Sequence, residues 1–224
     1  MANGITRKSR ILEACCCSVE EVRRACEHGA GRIELCEDIA VGGVTPSDEL
    51  MREAIHCAAG YDVPVNVLVR PRGGDFVYTE DEVKQMLASI DKCREMGAAG
   101  VVIGALTPEN EIDLQTMQTL IRCAHGSASE EGSRPLSVTF HRAFDNTKSD
   151  PMELLDRIIA LGCDRLLTSG REEKAPMAAG LIAKLVCHAA GRIIVMPGSG
   201  VNAGNVDEME SLTHAAEFHG TRIC

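Results

Sequence analysis

Short apolar runs and amphipathic runs alternate along this chain from end to end, and that alternation limits the possible folds more than any other feature. Eight runs read as strands: ILEACC from Ile11, RIELC from Arg32, VPVNVLVR from Val63, GVVIGAL from Gly100, LSVTFHRAF from Leu136, RLLTSG from Arg165, RIIVMPG from Arg192 and AEFHG from Ala216. Seven runs between them read as helices, opening at Ser18, Ser47, Thr79, Asp113, Asp150, Met177 and Asn202. Strand followed by helix, repeated, predicts βα units and a parallel sheet. The helix starts carry their own signals: Ser18 with Glu21 and Thr79 with Glu82 have capping-box spacing, and Asp150-Pro151 places proline in a first turn. Gly29, Gly97 and Gly162 stand where helices should stop.

Residues 1–224 fit one domain, a TIM-type (β/α)8 barrel of eight parallel strands whose last outer helix is missing or shortened. An open doubly wound sheet is the alternative, but it needs a switch point and usually has fewer strands. The missing helix leaves the outer face of the first and last strands to be covered by a loop or a partner subunit, so a homo-oligomer is expected. Aromatic residues are 3% of the chain against 45% hydrophobic overall, so the core must be aliphatic. The most polar stretch, residues 127–135, reads as a mobile surface loop.

A net charge of −10 without any basic cluster argues against nucleic acid as a partner. No run of about 18 apolar residues is present to cross a bilayer, and residues 1–10 lead into a strand rather than a signal-peptide core. A cytoplasmic location is expected. Eleven cysteines, an odd number, cannot all pair with one another, so most should be free thiols. Cys26, Cys57, Cys93, Cys123, Cys163 and Cys187 fall in or beside helical segments, where a reduced cysteine acts as a small buried hydrophobe.

Functional residues of a βα barrel lie at the C-terminal ends of the strands and in the loops that follow. The run VNVLVRPRGGDF ends a strand in Arg70, Arg72 and Asp75 on a glycine-kinked loop, an arrangement suited to meeting charge. Alternation puts Glu13 with Cys15, Glu34 with Cys36 and Glu217 with His219 on common strand faces. Inward is the cheaper direction, because an outer apolar shell would leave these groups unpaired. His141, Arg142 and Asp145 cluster at the end of the fifth strand. In one reading Glu13, Glu34, Arg70, His141, Arg142 and Asp145 perform acid/base chemistry on a small anionic or phosphorylated metabolite. Arg72, Thr168, Ser169, Gly198, Ser199 and Gly200 would then hold the anion. The competing reading is a structural ion-pair network, with Arg70 and Arg72 balancing the glutamates and the glycine loops serving as ordinary turns.

The motifs RPRGGDF (Arg70 to Phe76), IELC (Ile33 to Cys36), GGVTPS (Gly42 to Ser47), VTFHRAFD (Val138 to Asp145), LLTSG (Leu166 to Gly170) and EFH (Glu217 to His219) occur in order along the chain, which resembles the CutC family of copper homeostasis proteins. The resemblance implies a TIM-type barrel and Cu(I) binding by Cys15 and Cys36, onto which the family's proposed metal-binding cysteines map. Soft thiolates suit Cu(I). Alternation turns Cys16 away, while Cys17 could join as a third ligand. The dense signatures of other metal sites, such as CxxC pairs or HxxxH, are absent from the sequence.

Overall fold

The computed structural model describes residues 10–126 and 135–224; the polar stretch 127–135 therefore lies almost wholly outside the described residues, as does the chain before Arg10. All eight expected strands form: β1 (Ile11–Cys16), β2 (Arg32–Leu35), β3 (Val65–Leu68), β4 (Gly100–Ile103), β5 (Ser137–Phe140), β6 (Arg165–Thr168), β7 (Ile194–Pro197) and β8 (Glu217–Gly220). The seven helices are α1 (Val19–Glu27), α2 (Asp48–Ala59), α3 (Glu80–Glu95), α4 (Leu114–His125), α5 (Pro151–Ala160), α6 (Ala179–Ala189) and α7 (Val206–Thr213). Every ladder is parallel, in the order β7-β6-β5-β4-β3-β2-β1-β8.

The ends of the helices follow local chemistry. Thr79 accepts the Glu82 N–H while Glu82 accepts the Thr79 N–H, a complete capping box. At α1 only half of the box forms: Ser18 accepts the Glu21 N–H, but the Glu21 carboxylate takes the Cys17 N–H at 2.6 Å. Asp150 caps α5 ahead of Pro151 by accepting from Met152 and Glu153. The fifth strand is shorter than the apolar run suggests. It stops at Phe140 because His141 Nδ1 accepts the Ala143 N–H, turning Arg142–Asn146 into a 3-10 segment.

Two hydrophobic layers result. Between barrel and helices lie the outward strand residues, such as Ile33, Val67, Ile103, Phe140 and Phe218, packed with Val22, Met51, Ile90, Met117, Leu154 and Leu185. Inside the barrel a small cluster holds Cys15, Cys36, Leu68 and Val102. Cys16 belongs to the outer layer, as alternation requires. Cys26, Cys93 and Cys163 are buried hydrophobes as expected, but Cys187 is exposed on α6 and does not fit that reading. All cysteines are free thiols.

The circle is nearly closed. β7 and β8 share no ladder; the loop after β7 meets the end of β8 instead, where Ala203 N–H donates to the Arg222 carbonyl and Asn202 bridges to Arg222. Gly220 makes this approach possible, since a Cβ there would lie 2.3 Å from the Val201 carbonyl oxygen. Outside β1 and β8, Ile223 is buried and a shallow cavity of about 250 Å³ is lined by Ala14, Cys16, Ala25 and Cys224.

Candidate functional site

The interior of the barrel is charged along one side. In the β1–β2 and β1–β8 registers Glu13 lies opposite Arg32 and His219. Glu13 accepts from His219 Nδ1 at 2.9 Å and from Arg32 Nε. The Arg32 Nη2 donates to Glu217, which also takes the Arg165 Nε at 3.0 Å. His219, Glu13, Arg32, Glu217 and Arg165 thus form one chain of alternating charge, with Glu34 Oε1 a further 3.9 Å from His219 Nε2. The glutamates are balanced by Arg32 and Arg165, not by Arg70 and Arg72 as the sequence reading supposed. Arg32 was legible in principle, because it shares the inward alternation of Glu34 and Cys36.

The two arginines of RPRGGDF are engaged elsewhere. Arg70 is buried, donates to the carbonyls of Val41, Gly43 and Gly74 at 2.7–3.1 Å, and sits 4.8 Å from the Phe76 ring centroid. It therefore ties together the loops after β2 and β3. Arg72 binds Glu82, Asp75 and the Val77 carbonyl and stacks on Tyr78. Asp145 gathers Thr168, Ser169, the Arg171 N–H and Arg142, so the hydroxyls of Thr168 and Ser169 are already in use.

Above the charge chain a cavity of about 650 Å³ opens at the C-terminal ends of the strands, within the usual range for small-molecule sites. It is lined by Cys15, Glu34, Cys36, Arg70, His141, Arg142, His219 and the two stretches Ser199 to Asn202 and Gly220 to Arg222 that bring β8 to β7. Of the expected site residues, Glu13, Arg72, Asp75, Asp145, Thr168, Ser169, Gly198 and Glu217 do not line it. His141 packs 4.7 Å from Phe76, and Gly104 leaves room for it, since a Cβ would come within 2.5 Å of the imidazole.

Charge states follow from this packing. Burial, then the charges of Arg70 and Arg142, hold His141 down to about 3, so it is a neutral imidazole. Burial also works against a charged His219, but the Glu34 charge and the Glu13 hydrogen bond outweigh it and raise it to about 9. Glu13 is disfavoured by burial too, yet His219 and Arg32 bring it to about 2. Burial dominates at Glu34, which rises to about 7.

These four groups set how stability varies with pH. Glu34 and His219, raised on folding from 4.5 and 6.5, contribute fully below those values and lose that contribution as pH rises through about 7 and about 9. Glu13 and His141, lowered from 4.5 and 6.5, contribute above those values and lose it as pH falls through about 2 and about 3. Between pH 4.5 and 6.5 the slopes of Glu34 and His141 oppose one another, giving a plateau that falls away on both sides. Urea melts across pH 3–9 check this, and His141→Gln should make stability increase from pH 6.5 down to 4.5. A maximum above pH 8 would contradict the assignment.

Beside the cavity lie three sulfurs. Cys36 Sγ is 3.7 Å from Cys15 Sγ and 3.4 Å from Cys17 Sγ. Hydrogen bonding from Cys15, aided by Cys17, lowers the Cys36 thiol below its ordinary range despite burial and Glu34. The Cys15 thiol is raised well above that range by its bond to Cys36 and by burial, and Cys17 is raised to about 12 by burial and the Cys36 charge. Cys36 is thus the most readily ionised of the three thiols, flanked by two S–H groups. Cys15, Glu34 and His219 also offer ligand atoms within 4.8 Å of one another. Among the described residues no helix is long and apolar enough to cross a membrane.

Comparison with known proteins agrees with the resemblance seen in the motifs. The CutC family model matches residues 10–224. A CutC family protein of Parabacteroides distasonis is 46% identical over 210 residues, covering 94% of this chain and 82% of the relative. One from Xylella fastidiosa is 46% identical over 213 residues, covering 94% and 74%. Among solved structures, the proposed copper homeostasis protein CutC of Streptococcus agalactiae superposes with a TM-score of 0.88 at 33% identity, covering 96% of this chain and all of that one. A deoxyribose phosphate aldolase from Aeropyrum pernix shares the barrel at a TM-score of 0.69 and 14% identity, covering 96% and 86%.

Proposed function

The chain belongs to the CutC family, and from that premise we propose that it acts in copper homeostasis by holding Cu(I) between the sulfurs of Cys15, Cys36 and Cys17. One observation carries the reading: Cys36 Sγ lies 3.7 and 3.4 Å from its two neighbours. Three thiolates around one ion, with metal–sulfur bonds of about 2.3 Å, stand roughly 4 Å apart, so small side-chain shifts admit the metal. The donors are soft, as Cu(I) prefers. Cys36 is the most readily ionised of the three thiols, and Cys17, half-buried, gives the ion a way in. The nearby His219 cation offsets the negative charge that a copper thiolate site accumulates inside the barrel.

The test is competition for Cu(I) against a chromophoric chelator, with reduced protein under anaerobic conditions. The wild type should bind one ion. Loss of an outer partner of a metal ligand typically costs about 10–100-fold in affinity, so Cys36→Ser, which removes the shared ligand, should cost more than that. The double variant Cys15→Ser/Cys36→Ser should not compete measurably, and Cys17→Ser should retain part of the affinity. An unchanged affinity in the double variant would refute the site.

A further inference from the structure

Copper storage leaves much of the cavity unexplained. His141 and Glu34 line it, are each about 95% buried, and leave His141 Nε2 and Glu34 Oε2 without any partner. Because His141 Nδ1 accepts the Ala143 N–H, the imidazole proton resides on Nε2, which makes that atom a donor. An unsatisfied buried polar atom costs about 1–3 kcal/mol, so two in one cavity wall point to a hydrogen-bonding occupant.

The rim after β7 has the chemistry of an anion cradle. Ser199 and Gly200 both have left-handed backbones, at φ 72° and 76°. Among the described residues the N–H groups of Ser199, Gly200 and Val201 donate to nothing, and Arg222, an exposed residue that lines both this cavity and the one outside β1 and β8, has a guanidinium without a partner. Successive free amides in such a turn form a concavity that suits phosphate, and a guanidinium matches its oxygens.

We propose that this cavity binds a phosphorylated polyol of the sugar phosphate class, its phosphate on the Ser199 to Val201 amides and Arg222, and its hydroxylated body against His141 and Glu34. The inference does not rest on copper binding. It narrows the small anionic ligand expected from the sequence and moves the anion away from Arg72, whose donors are engaged by protein, and from Arg70, whose two Nη groups are held by carbonyls and which keeps only its buried Nε without a partner.

The experiment is a thermal-shift and calorimetric titration with erythrose 4-phosphate, ribose 5-phosphate and glucose 6-phosphate, beside ribose and inorganic phosphate. A ligand that binds only the folded protein raises the midpoint. At least one sugar phosphate should do so more strongly than ribose or phosphate alone. Arg222→Ala should weaken its binding about 10-fold or more while leaving the free protein's midpoint unchanged, because Arg222 is exposed. His141→Gln should weaken it as well. No shift with any of the three, a shift matched by inorganic phosphate alone, or binding indifferent to both Arg222→Ala and His141→Gln would overturn the proposal. Loss of Cu(I) binding with retained sugar phosphate binding, or the reverse, separates this inference from the copper reading.

Discussion

Replacing Arg32 by methionine should lower the melting midpoint by roughly 6–20 °C. The Arg32 side chain is 5% exposed and is the cation shared by Glu13 and Glu217. Methionine fills the space beside Met196 but leaves two carboxylates facing one another in a barrel that already holds Glu34. Breaking a buried ion pair from one side typically costs about 3–5 kcal/mol, a large part of the 5–15 kcal/mol or so that keeps a domain folded. For a chain of this length each kcal/mol moves the midpoint by about 2–4 °C, which gives the stated range. Thermal melts by circular dichroism measure it. The variant Glu13→Gln/Arg32→Met, which leaves Glu217 paired with Arg165 and removes the carboxylate facing it, should recover part of the loss. A single variant melting within 2 °C of the wild type would mean that the carboxylates are not held as ions in the interior.

Asp145→Ala should come next in size, at roughly 3 kcal/mol. This carboxylate accepts from Ser169 N and Oγ at 3.0 Å, from Arg171 N at 3.1 Å, from Arg142 Nε at 3.1 Å and from the Thr168 hydroxyl. Alanine leaves buried donors without partners at about 1–3 kcal/mol each, partly relieved by water. The damage should be local. Amide exchange at Ser169 to Arg171 should accelerate far more than in β1 or β2, because Asp145 joins the turn after β5 to the loop after β6. A catalytic Asp145 predicts the opposite pattern, an unchanged midpoint with impaired ligand chemistry.

Both predictions concern residues whose partners the sequence revealed only in part. The strand and helix alternation is a local signal, and it located all eight strands and the caps at Thr79 and Asp150. Period-two alternation also placed Glu13, Cys15, Glu34, Cys36, Glu217 and His219 in the interior, where they are buried. Pairing is not local. Arg70 ends a strand and reads as a free cation, yet the carbonyls that take it come from Val41 and Gly43 in another loop. Arg32 begins a strand, and attention to strand ends passed over it. Backbone groups carry no residue signature as acceptors, so the capture of the Arg70 Nη groups by carbonyls and the free amides at Ser199 to Val201 became visible only with coordinates.

The order of the strands also bears on how the chain is made. β1 finds its second neighbour in β8, the last strand to leave a ribosome, and the contacts Glu13–His219 and Arg32–Glu217 span 206 and 185 residues. Until β8 arrives, the nascent chain carries Glu13 on the unpaired edge of β1, and Arg32 on the neighbouring β2 lacks its late partner Glu217. Contacts of such separation form slowly, and an open edge invites wrong pairings. Any pause in synthesis shortly before Glu217 therefore holds the molecule in its most aggregation-prone form, and translation speed over the codons of β8 becomes a determinant of yield.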